Sequence, residues 1–201
     1  MVKRMRSMIG SLVVLALAAG LIAACSTTVS RPAVQTQDFA SQPPIVLSVA
    51  RVDVVEQYQS PLKEPNIEHS FPITPSAAFK KWVGERLKAE GQNDSLRVTI
   101  EDARAVRVPL PRTEGIEGML TTDQVERIDA TLSVLIEVVN NGGIAQSFIT
   151  AKAQRSRTLP EGLSLNERDR VYQEITESLV NDLNATIEQN IRQTLAKYVL
   201  G

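Results

Sequence analysis

The run from Ile128 to Val138 constrains the fold more than any other part of the chain. Ile128, Ala130, Leu132, Val134, Ile136 and Val138 alternate with Asp129, Thr131, Ser133, Leu135 and Glu137. A period of two sends successive side chains to opposite faces, so the run predicts a strand with one face buried. Asn140-Asn141-Gly142-Gly143 follows. This is turn chemistry that tolerates positive φ and returns the chain as a hairpin. The returning strand, about Ile144 to Thr158, has small residues on one face, Ala145, Ser147, Ala151 and Ala153, and Phe148, Thr150, Lys152 and Gln154 on the other. Small residues let a helix approach closely. Arg155 and Arg157 share a face near Lys152. They read either as an anionic-headgroup contact or as a solvated face paired with acids on neighbouring strands.

The covering helix is the last element. Ser164-Leu165-Asn166-Glu167 has the form of a capping box. Val171, Ile175, Leu179, Leu183, Ile187, Ile191, Leu195 and Val199 then recur every four residues. Thirty-five residues at 1.5 Å each give a rod of about 52 Å. That length predicts a first half packed on the sheet and a second half that extends beyond it or meets another subunit.

The first strand spans about Ile45 to Gln57 and changes phase near Ala50-Arg51, where a bulge or bend is expected. Next comes a segment holding Pro61, Pro65, Pro72 and Pro75, which excludes a regular central element. Thr74-Pro75 reads as an N-cap followed by proline at the first helical position, and the helix should run to Glu90 with Gly91 just after it. Phe79, Val83 and Leu87, with Ala78 and Trp82, form its buried stripe, and the aromatic pair reads as core. A second strand starts near Leu96 and continues to about Val108, interrupted at Asp102 and Arg104. From Pro109 to Gln124 there is another long excursion. The expected fold is α+β: a four-stranded, mostly antiparallel sheet covered on one face by two helices, in the order β-α-β-β-β-α, with a long C-terminal helix.

The first residues form an export signal, with Lys3, Arg4 and Arg6 ahead of an apolar run from Met8 to Leu21. The run closes on Ile22-Ala23-Ala24-Cys25, which contains the chain's one cysteine and resembles the bacterial lipobox. That resemblance implies acylation of Cys25 and cleavage just before it. Each buried methylene adds about 0.8 kcal/mol, so two or three acyl chains make a durable anchor. The competing readings are a signal-anchor, for which the run is short, and a plain secretory signal. The expected organisation is a signal over 1–24, a tether over 25–44 and a single domain over 45–201. Within the tether, Val34 and Phe39 are the residues able to dock on the domain. Removing residues 1–24 leaves 19 basic and 23 acidic residues, a formal charge of −4. That balance gives no general attraction to nucleic acid.

The inventory for chemistry is thin. His69 is the one histidine, and neither H-E-x-x-H nor C-x-x-C spacing occurs. There is no G-x-S-x-G elbow and no glycine-rich phosphate loop. No catalytic residue, metal ligand or cofactor is therefore expected. A long loop is often a contact surface, which makes Glu68, His69 and Phe71 candidates for binding a partner. For His69 the alternative is a loop histidine bonded to backbone. Ile116, Met119 and Leu120 are apolar residues on the second excursion, expected to meet another chain or the membrane, or to fold back over the sheet edge.

Behind its lipobox, the order strand, helix, strand, long loop, hairpin, long helix resembles the transport auxiliary lipoproteins that accompany ABC-type lipid transporters. A similar lipobox followed by a small mixed domain also occurs in lipopolysaccharide-assembly lipoproteins. The resemblance implies a non-catalytic, outer-membrane-anchored periplasmic subunit of a lipid transport system, with a protein partner or self-association. Ser26 after the cysteine, rather than Asp, agrees with outer-membrane sorting in such families. A module binding a lipid or other apolar ligand between sheet and helices is the second expectation, and an enzyme the third.

Overall fold

The computed structural model describes residues 38–111 and 124–200, all within one compact unit, Val34–Gly201. The elements in chain order are β1 (Ile45–Leu47), β2 (Val52–Glu56), α1 (Pro75–Arg86), β3 (Leu87–Ala89), β4 (Ser95–Asp102), β5 (Ala105–Pro109), β6 (Gln124–Val139), β7 (Ala145–Pro160), α2 (Leu165–Thr194) and β8 (Val199–Leu200). The class is α+β, as expected. β7 lies along one edge of β6, while β4 pairs with Ser133–Val139 and β5 with Glu126–Ala130. Since β7 occupies one edge throughout, β4 and β5 must share the other. They behave as one strand broken at Ala103–Arg104, where Thr131 N donates to Arg104 O at 2.9 Å. The sheet is thus four strands deep although it contains five, and β2 on β4 is its one parallel pair.

β6 sets the layer. Its six inward residues, Ile128 through Val138, are all at most 2% exposed. Leu96, Val98 and Ile100 of β4 and Ile149, Ala151 and Ala153 of β7 continue that face. Each fully buried aliphatic side chain contributes about 1.5–3 kcal/mol, against roughly 0–1 for an exposed ion pair, so this face dominates the stability. α2 covers it with Ile175, Leu179, Leu183, Ile187 and Ile191. Ala151 and Ala153 leave room for the helix, and Asn190 Nδ2 reaches the strand backbone at Thr150 O, 3.2 Å away. Arg155 and Arg157 pair with Asp182 (2.6 Å) and Glu174 (3.4 Å). Their acids therefore lie on α2 and not on neighbouring strands, and Lys152 points to the opposite face. The capping box is formed, with Glu167 N donating to Ser164 Oγ and Ser164 N to Glu167 Oε2.

Both helices end earlier than their patterns suggest. α2 stops at Thr194 after 30 residues. Leu195 is fully buried, and a 3₁₀ turn carries Val199–Leu200 back to pair with Val46–Leu47. The expected overhang is corrected: the distal half of α2 is buried in its own domain through Ile191. α1 is capped as expected, Thr74 Oγ1 accepting from Ala77 N at 3.2 Å, but it ends at Arg86. Leu87–Ala89 instead pairs in parallel with Ile45–Leu47. In both cases the edges of β1 win residues that helical periodicity claims, because strand pairing there satisfies backbone groups that a helix end leaves open.

The expected bend in the first strand is real. It separates β1, in a three-stranded sheet with β3 and β8, from β2 in the main sheet. Phe39, one of the two tether residues able to dock, does so: it is 3% exposed and its N–H donates to Glu85 Oε2 at 3.1 Å.

Gly91 does not cap a helix. Its N–H donates to Val49 O at 2.8 Å, and a Cβ there would lie 2.4 Å from Ser48 C and 2.5 Å from Val49 N. Backbone cannot yield at that distance without parting the bend from β3. Gly91→Ala should therefore lower stability by about 2 kcal/mol, read as a reduced urea midpoint with an unchanged slope.

Candidate functional site

The proline-punctuated segment between β2 and α1 was expected to present side chains to a partner. It is instead stitched to the core. Glu68 is 2% exposed. It accepts from Tyr58 Oη at 2.7 Å, from Ser60 Oγ, and from Ala105 N at 3.1 Å, the first amide after the break between β4 and β5. Burial opposes ionisation of this carboxyl, but the donors from Ser60, Tyr58 and Ala105 outweigh it and hold the group below the ordinary carboxylate value. Tyr58 moves the other way, pushed up first by burial and then by its bond to Glu68.

Further contacts fix the rest of the loop. Ile67 N donates to Ala105 O and Arg107 N to Pro65 O, both at 2.8 Å, and Asn66 forms a bridge with Val106. The loop thereby extends the free edge of β5. Phe71 stacks on Tyr172 of α2, ring centroids 4.3 Å apart and planes within 5°. Arg107 joins Glu64 on the loop to Glu126 on β6, and Arg168 of α2 pairs with the same Glu126. Glu68 and Phe71 are therefore corrected as partner contacts: one is an internal acceptor and the other a core aromatic. His69 is exposed on the 3₁₀ turn Glu68–Ser70 and is the candidate of the three that stands at the surface. Cys25, Ile116, Met119 and Leu120, along with Val34, lie outside the described residues.

A cleft that sequence reasoning missed lies where the N-terminal segment crosses the end of α2. It encloses about 310 Å³ and is lined by Pro44, Ile45, Ile191, Leu200, Arg86 and Glu188 among others. This is near the lower bound for small-ligand pockets, roughly 300–1,000 Å³. Arg86 is 2% exposed. Its guanidinium donates to Pro43 O, to Asn184 Oδ1 at 3.2 Å and to Glu188 Oε2 at 3.0 Å. Trp82 Nε1 donates to the same Asn184 oxygen at 2.8 Å. One signal existed: Arg86 stands seven residues after Phe79, on the apolar stripe of α1. Its partners on α2 are about a hundred residues away, beyond any local pattern.

Toward the start of β6, the face of the sheet turned away from the helices is polar. Arg127 bonds Asp129 at 2.8 Å, Ser156 Oγ bonds Asp129 at 2.6 Å, and Arg104 pairs with Asp102 at 2.8 Å. Arg104, Asp129, Thr131, Gln154 and Ser156 line an open trough there. Among the described residues no group of three or more His, Cys, Asp or Glu is placed to hold a metal ion.

No family model matches the chain, and no curated protein matches it. Among solved structures it is similar to a minor lipoprotein from Acinetobacter baumannii at 14% identity, covering 77% of this chain and 98% of that one, with a TM-score of 0.39. Rare lipoprotein B from Shewanella oneidensis is 13% identical, with coverages of 71% and 98% and a TM-score of 0.36. A Xanthomonas campestris protein of family DUF330 is 12% identical, with coverages of 80% and 97% and a TM-score of 0.31.

The Glu68 cluster makes stability depend on pH with a definite sign. Its folded pKa is depressed, so the linked stability is complete above the unfolded value, near pH 4.3, and is lost as pH falls through the folded value. Urea midpoints should drop more between pH 5 and pH 3 in the natural protein than in Glu68→Gln. At pH 7, Glu68→Ala should cost about 3 kcal/mol, because it strands buried donors.

Proposed function

We propose that this chain is a non-catalytic lipoprotein of the bacterial envelope, acylated on Cys25 and held at the periplasmic side of the outer membrane. Its folded unit serves as an interaction or assembly subunit of an envelope lipid transport system. The observation that carries this reading is the Ile22-Ala23-Ala24-Cys25 box at the end of a basic-then-apolar leader. In the folded unit, the buried acids Glu68 and Glu126 are engaged in bonds that hold elements together. His69 and, in the excursion before β6, Ile116, Met119 and Leu120 are the proposed partner contacts.

A second reading has one specific observation in its favour, the partly apolar cleft beside Arg86. There the domain would hold an acyl chain or similar apolar ligand, and denaturing the purified protein would release it.

Mass spectrometry of the N-terminal peptide tests the anchor: the mature chain should begin at Cys25 and carry diacylglyceryl and amide-linked acyl groups. Cys25→Ser should leave the leader uncut and block acylation. An unmodified Cys25 thiol in exported protein would overturn the lipoprotein reading. For the partner, a photocrosslinker at Met119 should trap one defined envelope protein in intact cells, and trapping nothing but lipid would favour the second reading.

A further inference from the structure

We infer that the tip of the β6–β7 hairpin is a membrane-contacting element that rests in the interfacial layer of a phospholipid bilayer. The inference does not depend on acylation of Cys25. From Val138 to Ala151 the chain contains no charged residue, a run of 14 residues bounded by Glu137 and Lys152. Within it, Ile144 is 65% exposed and Phe148 61%. Phe39, Phe71, Phe79 and Trp82 are all at most 5% exposed, and Phe148 is the one exposed aromatic among the described residues. A fold that buries its other phenylalanines has left this one in water at the end of a charge-free segment.

The backbone of the tip is prepared for such a layer. Polar main-chain groups entering a bilayer must be satisfied internally, since no water replaces their bonds there. Asn140 does this at the turn. Its Oδ1 accepts from Gly142 N at 3.0 Å and Ile144 N at 2.9 Å, its N–H donates to Ile144 O at 3.0 Å, and its C=O accepts from Gly143 N at 2.9 Å. Val138 and Val139 pair with Ser147 and Ala145.

Depth is limited by two features. Glu137 pairs across the strands with Phe148 and forms an ion pair with Arg97 at 4.0 Å, so a charged pair lies at the level of the ring. Among the described residues, the outer edge of β7 also has no strand beside it. Both features hold the tip to a layer that still contains water, with Ile144 dipping in, Phe148 at headgroup level where aromatic rings collect, and Lys152 behind it toward phosphate.

The test uses the full mature chain reconstituted in vesicles of phosphatidylethanolamine and phosphatidylglycerol, with an environment-sensitive fluorophore on Asn141→Cys. Acylated Cys25 cannot take the label. Labelling at position 25, seen by mass, would report failure of the anchor and leave the hairpin result readable. Leu62→Cys serves as the control, because Glu64 bonds Arg107, and Arg107 pairs with Ile128 at the far end of β6. The Asn141 probe should shift to the blue and lose at least half its emission to lipids spin-labelled near the headgroup, while the Leu62 probe does neither. Ile144→Asp with Phe148→Asp should abolish the shift and leave circular dichroism and the urea midpoint unchanged. Three results would overturn the inference: an Asn141 probe as wet as Leu62, a shift that grows with protein density at fixed lipid and so reports a second copy, or a shift that requires an added membrane-protein fraction.

Discussion

A carboxylate placed where the sheet is broken holds the distal end of this domain together. β4 and β5 share one edge of β6, but two residues between them leave the ladder, and Ala105 N faces inward with no strand to receive it. An unpaired buried amide costs about 1–3 kcal/mol. Glu68 answers that amide and draws Tyr58 and Ser60 in as further donors. Because the acceptor sits on the loop, satisfying the sheet also fixes the loop. The stack of Phe71 on Tyr172 then ties both to α2. Remove the charge and the break, the loop and the helix lose their common support.

This explains how a segment with four prolines can be ordered without regular structure. Proline removes donors and fixes φ, which rules out ladders but lowers the entropy lost on ordering. Side chains therefore supply the bonds that backbone pairing supplies elsewhere. A reading of the sequence that equates irregular backbone with a free surface misses this, as Glu68 and Phe71 show. Nothing within a few residues of Glu68 tells that its acceptors serve Ala105, 37 positions on.

What the sequence did make legible is what local physics decides. The alternation of Ile128 to Val138, the Ser164–Glu167 box, the Thr74 cap and the Asn140–Gly143 turn each depend on residues no more than a few positions apart, and each is formed in the fold. The helix ends were not legible, because Leu87–Ala89 and Val199–Leu200 are claimed by the two edges of a three-residue strand far from both in sequence. Nor was the Arg86 cleft, which needs Asn184 and Glu188 to be brought across from α2. The candidate site was less legible than the fold for the same reason: contact surfaces are defined by what remains after long-range packing has taken its share.

The two ends of the sheet now contrast in a way that bears on function. At the end formed by the start of β6, the chain of Glu64, Arg107, Glu126 and Arg168 joins the loop, both strands and α2 through charge-assisted bonds. At the tip of the hairpin, the turn is closed by a single asparagine and its own amides, and the ion pairs Arg97–Glu137 and Arg51–Asp53 stand on the strands at its base. Ion pairs at a solvated end cost little to maintain, whereas carrying them into an apolar layer would require several kcal/mol per charge. What distinguishes the hairpin is its own segment, Val138 to Ala151, which carries no charged residue and projects past the ion pairs at its base. That tip is the part of the sheet that can leave water at the smaller cost.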